Sequence, residues 1–146
     1  MEKSANAGNK TAASNMSLAY RKGDGVEVNI EKSIEWAIKA AELGDDDRIF
    51  QYAVAYFNGE DPVTEDKAKA VEFFVLAANA GSSTAMENLG VCYNNGYGVA
   101  LDKNKAIEWF EKAAKEGGFK KAMDNLEDLY PEVDASTSQT RYFELV

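Results

Sequence analysis

The chain has 146 residues, with 16 Lys and Arg against 25 Asp and Glu, no histidine and one cysteine, giving a net charge of −9. At this length one domain with a single continuous core is expected, and the acidic surplus disfavours nucleic acid and anionic membranes as partners. The missing histidine removes the usual neutral-pH general base, and a lone cysteine rules out an intrachain disulfide and a thiolate metal cluster, so no cofactor or metal is expected.

In chain order, Met1 to Lys10 lacks the apolar segment of a signal peptide, and Met1 to Gly8 matches only the final turns of a helix. Residues 9–44 read as a helical pair. The first helix carries Ser17 and Tyr20, a turn follows at Gly23 and Gly25, and Asn29 can cap a second helix that ends at Gly44. On that second helix Ile34, Trp36, Ala37, Ala40 and Ala41 fall on one broad apolar stripe, expected to be core. Residues 45–81 repeat the plan with Ala53, Tyr56, a turn at Gly59, an Asp66 cap, the stripe Val71, Phe73, Phe74, Ala77 and Ala78, and a stop at Gly81. Residues 82–117 repeat it again with Gly90, Tyr93, Gly96, Asp102 and Gly117. A final helix over 118–130 has no partner, because Pro131 intervenes and a tail over 131–146 begins. No apolar run approaches the roughly 20 residues that span a bilayer, so no membrane insertion is expected.

The periodicity is explicit. Tyr20, Tyr56 and Tyr93 lie 36 and 37 residues apart, and each is followed three residues later by glycine. KSIEWAIKAAELG (Lys32 to Gly44), KAVEFFVLAANAG (Lys69 to Gly81) and KAIEWFEKAAKEG (Lys105 to Gly117) align without gaps, and AMENLGVCY (Ala85 to Tyr93) recurs as AMDNLEDLY (Ala122 to Tyr130). These segments resemble the Sel-one-like repeat family, relatives of the tetratricopeptide repeat, whose units read A-x-x-N-L-G-x-x-Y-x-x-G-x-G-V and then D-x-x-K-A-x-x-W-x-x-K-A-A-x-x-G. The third copy matches almost throughout. The second departs more: Arg48 stands where alanine is expected, Phe73 replaces the tryptophan, and Gly59 to Val63 holds one extra residue.

The resemblance implies an all-α fold, an α/α solenoid of three stacked antiparallel helix pairs plus a carboxyl-terminal capping helix. Ser17, Ala53 and Gly90 occupy its close-approach position, where the last helix has Glu127, which would clash with a following helix; a polar cap is therefore expected.

The resemblance also implies a concave interaction face lined by the first helices. Carried over position by position, that face holds Leu18 and Asn15 in the first copy, Phe50, Gln51, Val54 and Phe57 in the second, Glu87, Asn88 and Val91 in the third, and Asn125 in the last helix. Phe50, Val54 and Phe57, at i, i+4 and i+7, make an apolar strip suited either to a binding hot spot or to packing on neighbouring helices. Asn15, Gln51, Asn88 and Asn125 recur at one position, either to bond an extended peptide backbone or to tie one repeat to the next. The residues at the fifth groove position, Ser14, Phe50, Glu87 and Asp124, include no cation, which argues against a groove that clamps a peptide's carboxyl terminus.

The expected function is accordingly a non-enzymatic interaction module that docks a neutral or basic peptide or protein. Alternatives are an inhibitor or immunity protein masking a toxin, a structural spacer, or a small-molecule-binding or hydrolytic protein of the cysteine-rich repeat type, which the single Cys92 disfavours. Cys92 sits at an apolar core position, where a thiol is usually inert.

Overall fold

Helices make up the regular structure of the residues that the computed structural model describes, 8–117 and 119–129. They are α1 (Lys10–Lys22), α2 (Ile30–Glu42), α3 (Asp47–Asn58), α4 (Lys67–Asn79), α5 (Ser83–Asn95), α6 (Lys103–Lys115) and α7 (Phe119–Leu129). The expectations for Met1 to Ala7 and for the tail 131–146 lie outside these residues. The chain divides into two compact units, Met1–Gly81 and Ser82–Val146.

The helix starts follow from local chemistry. The side chains of Asn29, Asp66 and Asp102 accept from the backbone N–H of Lys32, Lys69 and Lys105 at 3.1, 3.0 and 3.1 Å, satisfying donors that an uncapped helix leaves orphaned. Asn9 and Ser82 do the same for α1 and α5. The acidic start of α3 works differently: Asp46 makes no side-chain cap bond, and Asp45 Oδ1 instead accepts from Asp47 N–H at 3.1 Å. Gly44, Gly81 and Gly117 follow the second helices with φ of 101°, 104° and 105°, a left-handed backbone that a side chain would strain.

Each pair is closed by the same device. The backbone N–H of Asn29, Asp66 and Asp102 donates to the carbonyl of Tyr20, Tyr56 and Tyr93 at 2.9, 2.8 and 2.8 Å. The ammonium three residues after each cap then lies over the ring of the same tyrosine: Lys32 on Tyr20 at 5.4 Å, Lys69 on Tyr56 at 5.6 Å and Lys105 on Tyr93 at 5.4 Å. The extra residue of the second loop is absorbed in the turn from Glu60 to Val63, closed by a 3.1 Å bond from Val63 N–H to the Glu60 carbonyl, so the closing contact to Tyr56 survives.

In the first unit α1 packs on α2 and α3 on α4, and the pairs stack through α2 on α3, with further contacts of α1 with α3 and of α2 with α4. The second-copy stripe is core throughout: Val71, Phe73, Phe74, Ala77 and Ala78 are all buried. In the first copy Ala37, Ala40 and Ala41 are buried, whereas Ile34 and Trp36 are half-buried; Trp36 packs on the cluster of Ala12, Ala13, Met16, Tyr20 and Ala40. Buried hydroxyls join the two pairs. Ser17 Oγ donates to the Ser33 carbonyl and Ser33 Oγ to the Ser17 carbonyl, both at 2.7 Å, and Tyr52 Oη lies 2.6 Å from Ser33 Oγ. Because the Ser33 hydroxyl proton is committed to Ser17, the tyrosine is the donor to Ser33.

In the second unit α5 packs on α6 and α6 on α7. Gly90 faces Phe110, which joins Ala106 and Leu126 in the core together with half-buried Tyr93 and Ile107. Ala122 and Leu126, one turn apart on α7, are buried, while Lys120, Lys121 and Asp124 are exposed.

Candidate functional site

Residues four apart on a helix share a face, so α3 presents Phe50 and Val54 together, with Phe57 a turn further on. Packing then separates them. The rings of Phe50 and Phe57 both meet buried Phe74 of α4 edge-to-face, with centroids at 5.8 and 6.4 Å and interplanar angles of 62° and 61°. Phe57 is held further by Lys67, whose ammonium lies 4.5 Å from its ring centroid, donates to its carbonyl at 3.1 Å and pairs with Glu65. Phe57 thus belongs to the corner between α3 and α4. Phe50 and Val54, each half-buried, instead line an open depression of about 330 Å³ together with Arg21, Gln51, Ala55, Glu60 and Asp61. The floor is apolar, and charges of both signs stand around it.

The remaining expected residues of this unit lie on α1 and α3. Asn15 is exposed and Leu18 half-buried on α1, and Gln51 is exposed at the edge of the depression. Arg48, which position counting did not select, reaches this face as well. At the equivalent position Ala12, Ala85 and Ala122 are buried. Arg48 is half-buried there, donating from Nε to Ser14 Oγ at 3.3 Å and from Nη1 to Gln51 Oε1 at 3.4 Å. Its departure from the repeat pattern was the one signal available in the sequence. Arg21, at the last turn of α1, places its guanidinium 5.7 Å from the Tyr52 ring centroid.

In the second unit Val91 is 36% exposed and Asn88 half-buried on α5, and Asn125 is half-buried on α7. Glu87 is 6% exposed, and its carboxylate pairs with the Lys121 ammonium of α7 at 3.4 Å. Lys103 donates to Asn94 Oδ1 at 3.2 Å. Cys92 is buried, as its apolar register requires.

Among the described residues no cluster of three or more His, Cys, Asp or Glu is placed to hold a metal ion, and no helix is long and apolar enough to cross a membrane.

The Sel1 repeat model matches residues 11–45, 49–82 and 83–118. A Sel1 repeat protein from Oxalobacter formigenes superposes with a TM-score of 0.67 at 35% identity, over 87% of this chain and 94% of that one. A protective antigen of uropathogenic Escherichia coli strains, displaying an SLR fold, gives 0.66 at 28% identity over 99% of this chain; the match spans 31% of that protein. Cysteine-rich protein B of Helicobacter pylori shares the fold, with a TM-score of 0.55 at 23% identity over 77% of this chain and 93% of that one. No curated protein matches the chain significantly. Sel1 repeat proteins are in general protein–protein interaction modules and typically non-enzymatic scaffolds. Three matched repeats, a shared α/α solenoid fold and a relative of 35% identity covering most of both chains have one reading: the chain belongs to the Sel1 repeat family.

Proposed function

We propose that this chain is a non-enzymatic docking module whose principal seat is the α1 and α3 face of its first unit. The observation that carries the reading is the open depression floored by Phe50 and Val54 and edged by Gln51, Arg21, Glu60 and Asp61. An apolar floor ringed by polar groups suits an anchor side chain of a peptide or partner protein, because burying the anchor drives association while the rim sets orientation. Phe57 shares with Phe50 of the floor a ring contact to Phe74. Asn15 and Leu18 extend the same face along α1, and Asn88, Val91 and Asn125 offer further contacts in the second unit, whereas Glu87 is buried beside Lys121. A net charge of −9 steers basic partners toward the surface and does not repel neutral ones.

The test is site-specific photo-crosslinking. A photoreactive residue at Gln51 is compared with one at Glu35, exposed on α2, in cells that make the full chain. The expected result is a discrete adduct from Gln51, absent from Glu35 and lost in Val54→Asp, with circular dichroism showing that the variant is folded. Equal labelling from both positions, or adducts that persist in folded Val54→Asp, would remove the depression from consideration.

A further inference from the structure

The loop that closes the second helix pair is where this chain departs from its own repeat, and it carries charge. Gly59 is followed by Glu60, Asp61 and Pro62 before Val63, where the other copies read Gly23-Asp24-Gly25-Val26 and Gly96-Tyr97-Gly98-Val99. Backbone bonds fix the longer turn at both ends: Glu60 N–H donates to the Ala55 carbonyl at 2.9 Å, and Val63 N–H donates to the Glu60 carbonyl at 3.1 Å. Glu60 and Asp61, both exposed, are thereby set on the depression beside Phe50 and Val54. Neither carboxylate is within ion-pair distance of a cation among the described residues, where the pairs are Lys67 with Glu65 and Lys121 with Glu87. Glu60 accepts from the Asn58 side-chain amide at 2.9 Å, a neutral donor that leaves its charge in place. Arg21, the one cation among the described lining residues, has its guanidinium 5.7 Å from the Tyr52 ring centroid instead. Two carboxylates against one guanidinium leave the rim acidic beside an apolar floor.

From this juxtaposition we infer that the depression takes an internal segment of a partner protein in which a basic residue stands two positions from an apolar one. The apolar side chain sits on Phe50 and Val54, and the lysine or arginine head meets Glu60 and Asp61. The inference rests on the docking reading above and names the chemistry of what docks. In an extended segment, residues i and i+2 point to one side about 7 Å apart, so both side chains can enter one depression of about 330 Å³. A charged segment without an apolar residue would leave the floor uncovered, and an apolar residue alone would leave both carboxylates without a counter-charge. Arg21 repels a cation on its own side, which directs the basic residue to the loop of Glu60 and Asp61. The recognition is local. Beyond about 8 Å charges are screened at physiological salt, so these two carboxylates, rather than the net charge of −9, set the preference.

The test uses NMR titration of the full isotope-labelled chain with acetyl-Lys-Ala-Leu-Ala-Lys amide, which carries no terminal charge and offers a basic residue on either side of the anchor. Three further peptides replace both lysines by glutamine, both lysines by glutamate, or the leucine by serine. The lysine–leucine peptide is expected to shift the resonances of Phe50, Val54, Glu60 and Asp61. It should bind about three- to tenfold more tightly than the glutamine peptide, with the glutamate peptide weakest. At about 1 M salt, where the screening length falls to about 3 Å, that difference should vanish. Glu60→Gln/Asp61→Asn keeps the shape of an exposed turn, so the fold is expected to persist, checked by thermal melting, and the lysine preference should be lost. Glu35→Gln/Glu42→Gln makes the same charge change at exposed positions of α2 and should keep the preference. Equal affinity for the lysine and glutamine peptides, a preference that survives in the folded loop variant, or one that the α2 variant loses equally overturns the inference while leaving apolar docking in place. No shift at Phe50 or Val54 with any peptide, or equal binding of the serine peptide, overturns both readings.

Discussion

The ring of Phe110 fills the space that a side chain at Gly90 would need: a Cβ on that glycine would lie 2.4 Å from Phe110 Cε1 and 2.6 Å from Cδ1. Helix α5 therefore accepts a glycine in its interior despite the lost helix propensity, because the ring on α6 can seat against bare backbone. In the second repeat the corresponding positions hold Ala53 and Phe74, and in the first Ser17 and Ala37, so phenylalanine stands with glycine or alanine and the bulkier serine with a small partner.

Gly90→Ala should consequently destabilise the chain even though alanine is the better helix former. The expected loss is about 1–3 kcal/mol from overpacking, read by urea unfolding. Gly90→Ala combined with Phe110→Leu should recover part of it. Additive effects of the two changes would mean that the contact is not the cause.

Ser33→Ala should be costlier than its size suggests. It removes the acceptor for the buried Tyr52 hydroxyl and a donor to the Ser17 carbonyl, leaving both groups without those partners, for an expected loss of about 1–3 kcal/mol. Adding Tyr52→Phe removes the stranded hydroxyl, and the third repeat already manages with Leu89 and Ala106 at these two positions. The double variant should thus melt above Ser33→Ala; a melting point at or below it would show that the tyrosine hydroxyl itself carries the stability.

The tyrosine closures can be probed at one repeat. Lys105→Met keeps the aliphatic stem and removes the charge above Tyr93, with an expected loss of about 0.5–1 kcal/mol at an exposed site. Asp102→Ala removes the cap accepting from Lys105 N–H and should lose about 0.5–2 kcal/mol. A cap effect smaller than that of Lys105→Met, measured by chemical denaturation, would reverse this ranking.

Phe57 and Val54 should respond differently to truncation. Phe57→Ala loses an edge-to-face contact with Phe74 and the packing under Lys67, for about 1–3 kcal/mol. Val54→Ser, on the open depression, should stay within about 1 kcal/mol and act on partner binding instead. Similar melting losses in both variants would place Val54 in the core.

Cys92, being buried, should resist a thiol-specific reagent in native buffer and react once the chain is unfolded in denaturant. Prompt native labelling would show that α5 opens readily.

Much of the architecture is local and was legible without coordinates. Asn29, Asp66 and Asp102 cap because an oxygen two bonds from Cβ reaches the N–H three residues on, whatever surrounds it. Gly44, Gly81 and Gly117 stop helices for an equally local reason. The carried-over groove was harder, since position counting assumes that every side chain at one register points to one place. Glu87 was expected on display, yet it is buried beside Lys121, 34 residues away in the chain.

By itself the sequence determined the repeat, the helix limits, the apolar stripes and the family, because each follows from spacing within a few turns of backbone. Only the tertiary structure decided how the aromatic strip divides. Phe74 arrives from another helix to draw Phe57 into a packed corner, while Phe50 and Val54 remain on the depression. It also decided what Arg48 does. A long side chain at a position otherwise given to buried alanine has no assigned direction until α1 and α3 pack and bring Ser14 and Gln51 within hydrogen-bonding distance.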